Sequence, residues 1–175
     1  ETAAVMSPDG DRPYFTAAEG LLVPPADHDL RDYLAAPPAA RRVRLRLTTP
    51  LRLKEGNDLL RTAPRYEQVI HRLFGRLDQI AHALGVTPPL VKAGRSPLLE
   101  EGRAVRLVRD QLRWMGLDRR SGRTGERMRF GGLVGEIEYE GGFARTLPWL
   151  AAGRLLQIGG KSAFGFGGFD AEMLA

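Results

Sequence analysis

The segment "RRVRLRLTTPLRLK", Arg41 to Lys54, alternates so regularly that it settles much of the architecture. Val43, Leu45 and Leu47 fall on one side of an extended chain, and Arg42, Arg44 and Arg46 on the other. Successive side chains of a strand point to opposite faces, so the pattern describes a strand with one face covered and one open. Such strands belong to antiparallel sheets whose helices gather on the apolar side. Pro50 has no N–H for the ladder and should end or kink the strand.

The remaining segments fit that frame. In "APRYEQVIHRLFGRLDQIAHALG", Tyr66, Val69, Ile70, Leu73, Leu77, Ile80 and Leu84 form one stripe at helical spacing, with Pro64 in the first turn and Gly85 as C-terminal cap. "GRAVRLVRDQLRWMGLD" is a strand with a bulge. In "RMRFGGLVGEIEYEGG", Met128 and Phe130 have one parity and Leu133, Ile137 and Tyr139 the other, which places a β-bulge at Gly131-Gly132. "ARTLPWLAAGRLLQI" is a shorter helix with Thr146 as N-cap and Pro148 in its first turn. "AFGFGGFDAEML" closes the chain as a strand entered through glycines, with Phe164, Phe166 and Phe169 at strand alternation. Strand, helix, strand, strand, helix, strand is an α+β, ferredoxin-like (RRM-like) βαββαβ order. It predicts four antiparallel strands with helices near 64–84 and 146–157 on one face. Residues 41–175 form that domain. Residues 1–40 read as an extension from an upstream region: two short strands about Ser7-Pro8-Asp9-Gly10, then proline pairs of linker composition.

The chain has no cysteine, which removes disulfides and thiolate metal sites and suits a reducing, cytoplasmic setting. No apolar run reaches the ~18 residues that cross a bilayer, so no membrane partner is expected. The net charge of +5 is unevenly placed. Arg41 to Lys54 holds six basic residues and no acid; Gly102 to Arg129 holds nine arginines against Asp110, Asp118 and Glu126. Only three of the cations in the whole chain are lysines. Guanidinium donates two parallel hydrogen bonds to phosphate, so nucleic acid or another polyphosphate is a natural partner.

Three groups could meet that partner. The glycine stretch "GGKSAFGFGG" joins the second helix to the last strand, and glycine N–H groups can approach an anion closely. A tight helix-to-strand connection needs glycine too. It is not a P-loop, because Leu155 stands where that motif requires glycine. Arg119, Arg120, Ser121, Arg123, Arg127 and Arg129 flank a hairpin turn that can follow a phosphate backbone. Arg44 and Arg46 share the open face of the first strand; the alternative there is a solvated face with Glu136, Glu138 and Glu140 pairing across strands. His71 and His82 lie opposite the helix stripe and read as surface residues, and His28 has no partner by spacing. Trp149 reads as core, and Trp114 as core or as a residue lining the open face. The glutamate row lacks the geometry of a metal site, and no cofactor is expected.

"LRLTTPLRLKEGN", "LRWMGLDRRSGRTGERMRFGGLVGEIEYEGG" and "PWLAAGRLLQIGGKSAFGFGGF" together resemble the C-terminal domain of CRISPR precursor-RNA processing endoribonucleases of the RAMP superfamily. The resemblance runs from about Val43 to Phe169. It implies antiviral defence, CRISPR repeat or guide RNA as partner, and other CRISPR-associated proteins beside it. It places Gly159, Gly160, Lys161, Ser162, Gly165 and Gly167 near RNA. Cleavage in the family needs no metal: the ribose 2′-hydroxyl attacks the adjacent phosphate, aided by acid and base groups that usually include a histidine of the N-terminal domain. That domain has no counterpart in this chain, so the catalytic residues are unknown and RNA binding is the expected role. The alternatives are a non-catalytic RAMP subunit holding guide RNA in an effector complex, and a ferredoxin-like regulatory domain binding a phosphorylated ligand.

Overall fold

The structure is a computed structural model and describes residues 40–88, 90–120 and 127–174 and three short strands before them; the side chains of 1–39 and 118–129 lie outside that description. The chain divides into two compact units, Glu1–Asp32 and Tyr33–Ala175. In the first, β1 (Ala4–Met6), β2 (Pro13–Thr16) and β3 (Leu21–Leu22) form an antiparallel sheet in that order. The two expected strands are there with a third; the turn between the first two lies outside the described residues.

The second unit is built on β4 (Arg42–Leu51). It is followed by the ribbon β5 (Lys54–Glu55) and β6 (Asp58–Leu59), then by α1 (Tyr66–Leu84) and α2 (Ser96–Ala104). Next come β7 (Arg106–Asp110), β8 (Arg113–Arg120), β9 (Arg127–Glu140), α3 (Leu147–Gly153) and β10 (Phe169–Leu174). The main sheet runs β10-β4-β9-β7, with β8 also on β9, and every pairing is antiparallel. This is the ferredoxin-like order, with β7 and β8 serving as one interrupted strand.

The covered face follows the alternation. Val43, Leu45, Leu47, Leu133, Ile137 and Tyr139 are buried, against Tyr66, Val69, Ile70, Leu73, Phe74 and Leu77 of α1 and Leu147 and Leu150 of α3. The Tyr66 ring meets Tyr139 and Phe143 edge-on, each at 5.2 Å. Their hydroxyls stay satisfied: Tyr139 donates to the Pro64 carbonyl at 2.7 Å and Tyr66 to Thr146 Oγ1 at 3.0 Å. Burial pushes both phenols above their ordinary pKa, so they stay neutral donors.

Several local expectations need correction. The stripe on α1 ends in Phe74, Leu77 and Ala81, because the helix leaves the sheet near its C-terminus; Leu84 is 70% exposed. Gly85 does cap it in the left-handed conformation. Thr146 precedes α3 but its side chain makes no cap bond; Glu101 caps instead, accepting from the N–H groups of Arg145 and Thr146 and from Thr146 Oγ1. That carboxylate comes from α2, a helix absent from the predicted order, so Gly102–Ala104 are helical and the strand starts later. The shorter α3 ends at Gly153 rather than near 157.

The bulge also moves. β8 and β9 pair without a register shift through Gly131-Gly132; shifts lie in β4, between Leu47 and Leu51 at Thr48-Thr49-Pro50, and in β7, between Leu107 and Arg109, within the segment expected to carry a bulge. Phe130 therefore keeps the parity of Glu136, Glu138 and Glu140. It is buried because Phe164 and Phe166 cover it, with ring centroids 5.3 and 6.2 Å away. Of the three phenylalanines expected in a strand, only Phe169 lies in β10; Phe164 is in a single 3₁₀ turn and Phe166 in the turn after it.

Candidate nucleic-acid interface

The glycine stretch is fastened to the bend in β4. Thr48 and Thr49 N–H groups both donate to the Gly168 carbonyl, at 3.1 and 3.3 Å. The Gly168 N–H donates to Thr49 Oγ1 at 2.8 Å, Gly167 N–H to Pro50 O at 3.0 Å, and Gly160 N–H to Arg52 O at 2.8 Å. The two sequence signals, Thr-Pro after the strand and glycines after the last helix, are thus two halves of one contact. Glycine is required by space here: a Cβ at Gly167 would stand 1.8 Å from Ile158 O, and one at Gly159 would stand 2.5 Å from Arg52 O. Both have positive φ, which adds strain for any other residue.

This changes what the loop offers to an anion. The N–H groups of Gly160, Gly165 and Gly167 are engaged with protein carbonyls, so they are not the free donors that composition suggested. What projects is Lys161, itself left-handed at φ +69 and exposed. Its Nζ lies 5.3 Å from the Phe130 ring and 5.6 Å from the Phe164 ring. These aromatic faces hold the ammonium without neutralising it. Ser162 follows it at the start of the 3₁₀ turn.

The open face of the sheet is different. Arg44 bonds Glu138 and Glu172, each at 2.9 Å, and lies 3.9 Å from Glu136. Arg46 bonds Asp170 at 3.1 Å, Arg109 bonds Glu138 at 3.1 Å, and Arg42 and Arg106 both meet Glu140. The Arg44 hydrogen bond holds the Glu138 carboxyl below the usual carboxylate range; burial opposes this and Arg109 adds to it. Cross-strand pairing between Arg44 and the glutamates is therefore the observed arrangement of this face.

Of the cationic turn, Arg119, Arg120, Arg127 and Arg129 lie on paired β8 and β9 backbone, but their side chains, with Ser121 and Arg123, lie outside the described residues. Trp114 is half-buried with the Arg61 guanidinium stacked 3.5 Å above its ring, and Trp149 packs edge-on against Phe74 at 5.5 Å. His71 and His82 are exposed on α1, and His28 lies outside the described residues. Among the described residues, no histidine hydrogen-bonds a second titratable group, and no cluster of three or more His, Cys, Asp or Glu is arranged for a metal. No helix among them is long and apolar enough to cross a membrane.

Sequence reasoning passed over Phe130, whose parity looked like a bulge. It also passed over Arg72 and Arg76, which line a cleft beside the loop together with Arg52 and Lys54. The signal for the last group was their position on the flank of the α1 stripe, four residues apart.

An antiparallel sheet in this order, with a glycine loop locked onto the bend of its first strand, defines a ferredoxin-like domain. Residues 45–169 match the family CRISPR-associated endoribonuclease Cas6, and the chain belongs to that family. Among solved structures it is similar to Thermus thermophilus Cas6, at 17% identity and TM-score 0.58 over 83% of this chain and 58% of that one. A Cas6 product complex is similar at 19% identity and TM-score 0.53, covering 83% of this chain and 56% of the other. A partial Cas6-RT-Cas1–Cas2 complex matches at 12% identity and TM-score 0.57, over 89% of this chain and 29% of that one. The chain thus spans just over half the length of the stand-alone Cas6 structures. No curated protein matches it significantly.

Proposed function

We propose that residues 41–175 are the RNA-binding domain of a CRISPR repeat-RNA endoribonuclease that processes precursor guide RNA in the cytoplasm by metal-independent cleavage, with residues 1–40 as a separate extension. The supporting observation is Lys161: a cation without a carboxylate partner among the described residues, projected from the loop locked onto β4, in a chain of this family. Ser162 and the ends of the β8–β9 hairpin, through Arg119, Arg120, Ser121, Arg123, Arg127 and Arg129, extend the surface along a phosphate backbone. Gly159, Gly160, Gly165 and Gly167 contribute by holding the loop's shape. Arg44 and Arg46 contribute least, since neighbouring carboxylates offset their attraction for phosphate. The likeness to a Cas6-RT-Cas1–Cas2 complex supports other CRISPR-associated proteins as partners.

The test is equilibrium binding of repeat RNA at several salt concentrations. Lys161→Ala should weaken binding by roughly 1 kcal/mol and flatten the salt slope by about one unit. Unchanged affinity and slope would return the loop to a structural connection. Since no acid–base pair is placed among the described residues, the chain alone should bind repeat RNA with little or no cleavage. Any cleavage it does perform should survive chelator. Efficient cleavage abolished by His28→Ala would overturn that expectation.

A further inference from the structure

Beside the glycine loop, on the side of α1, lies a cleft of about 250 Å³. Arg52 and Lys54 come to it from the strand end and β5, Arg72 and Arg76 from α1, and Gly159 and Gly160 close it. No aspartate or glutamate lines it. The cations are held by carbonyl oxygens instead: Arg52 Nη1 donates to Gly131 O at 3.1 Å, Arg76 Nε to Leu156 O at 2.9 Å, and Arg72 Nη2 to Lys54 O. A carbonyl orients a guanidinium without cancelling its charge and leaves its other N–H donors available.

Gly75 gives an independent sign. It lies inside α1, between Arg72 and Arg76 on the cleft wall, where glycine weakens a helix relative to alanine. Nothing lies within 4 Å of where its Cβ would stand, so close packing does not require it. The missing side chain leaves the cleft open between the two arginines.

We propose that this cleft is a second phosphate subsite, seating a backbone phosphodiester of the RNA strand that meets Lys161. The inference rests on the RNA-binding reading above. Gly160 lines the cleft and Lys161 is the next residue, so one strand can engage both. The volume is below the ~300 Å³ at which ligand pockets usually begin, which suits a phosphodiester rather than a whole base-bearing nucleotide. An adjoining hollow of about 230 Å³ shares Lys54 and Arg72 and carries His71 and Arg103, with Glu67 paired to Arg103. The cationic path therefore continues along α1.

The experiment measures binding of a short oligouridylate to the full chain across a salt series. Gly75→Glu places a carboxylate between the arginines and should weaken binding about tenfold; Gly75→Gln, of similar size and neutral, should weaken it about twofold. The double variant Arg72→Ala/Arg76→Ala should lower the salt slope by about 0.7, the value for one phosphate contact on a single strand. Gly75→Gln should melt no lower than the parent, which separates binding from folding. If the parent and Lys161→Ala behave as proposed for RNA while all three cleft variants match the parent, the cleft proposal is overturned and the RNA reading stands. If the parent binds neither oligouridylate nor repeat RNA, the RNA reading itself fails. Inorganic phosphate that then raises the melting temperature of the parent but not of Gly75→Glu would assign the cleft to free phosphate and overturn RNA as its ligand.

Discussion

On the open face of the sheet, every arginine of β4 and β7 meets a carboxylate; beside the glycine loop, Arg52, Lys54, Arg72, Arg76 and Lys161 meet none among the described residues. The two regions draw on the same basic segment, Arg41 to Lys54. Its first part alternates within a strand whose neighbours supply Glu136, Glu138, Glu140, Asp170 and Glu172 at matching register. Its last part runs past the Thr-Pro bend to where neighbours supply glycines and carbonyls. Counting cations along the chain cannot separate these cases, because charge available to phosphate depends on what register places opposite each arginine.

That contrast can be broken or sharpened by experiment. The largest effect should be on stability at the loop: Phe166→Ala removes a buried ring from beside Phe130 and should cost roughly 3–5 kcal/mol in urea melts, with RNA binding reduced only through unfolding. Normal stability in that variant would mean that the loop is not anchored through this ring. Acid should next pick out the open face. The Glu138 carboxyl is depressed in the folded state, so its contribution is present above the ordinary carboxylate value of 4.5 and lost as pH falls through the lower folded value. Glu138→Gln should therefore flatten the decline of melting temperature below about pH 5; an unaltered acid limb would show that the pairing stabilises nothing. Smallest of all should be Arg46→Ala, whose exposed pair with Asp170 is worth within about 0.5 kcal/mol of stability. Its salt slope for RNA should move by much less than that of Lys161→Ala. Equal slopes for the two variants would erase the distinction between paired and unpaired cations.

Much of the fold was legible because burial imposes periodicity. The alternation of β4 and the stripe of α1 each follow from one covered face, as does the antiparallel order, and the left-handed cap at Gly85 follows from glycine's missing Cβ. What was not legible depended on contacts between distant segments. Phe130 sits on the polar side of its strand and is covered by a loop more than thirty residues later, so local parity suggested a bulge. The bulge beside the loop, at Thr48 to Pro50, receives Gly167 and Gly168. Helix α2 was missed for a related reason: it is short, and the function visible for it is to present Glu101 to the start of α3. In the candidate site, Lys161 was legible as the singular cation of the glycine stretch, whereas the engagement of the neighbouring N–H groups required knowing where the carbonyls of Pro50, Arg52 and Ser162 lie.

The fastening of the loop onto β4 bears on the order in which the domain can be completed. Arg46 and Asp170 are 124 residues apart in sequence and Thr49 and Gly168 are 119 apart, so the bend in the first strand of the domain receives its partners only after the rest has been made. During synthesis, Phe130 and the edge of β4 stay uncovered until the segment from Phe164 to Leu174 leaves the ribosome. Contacts this far apart also slow closure of the sheet. A nascent chain stalled before Phe164 would carry a bare aromatic patch and an unpaired strand edge, a natural target for a chaperone or for a second stalled copy.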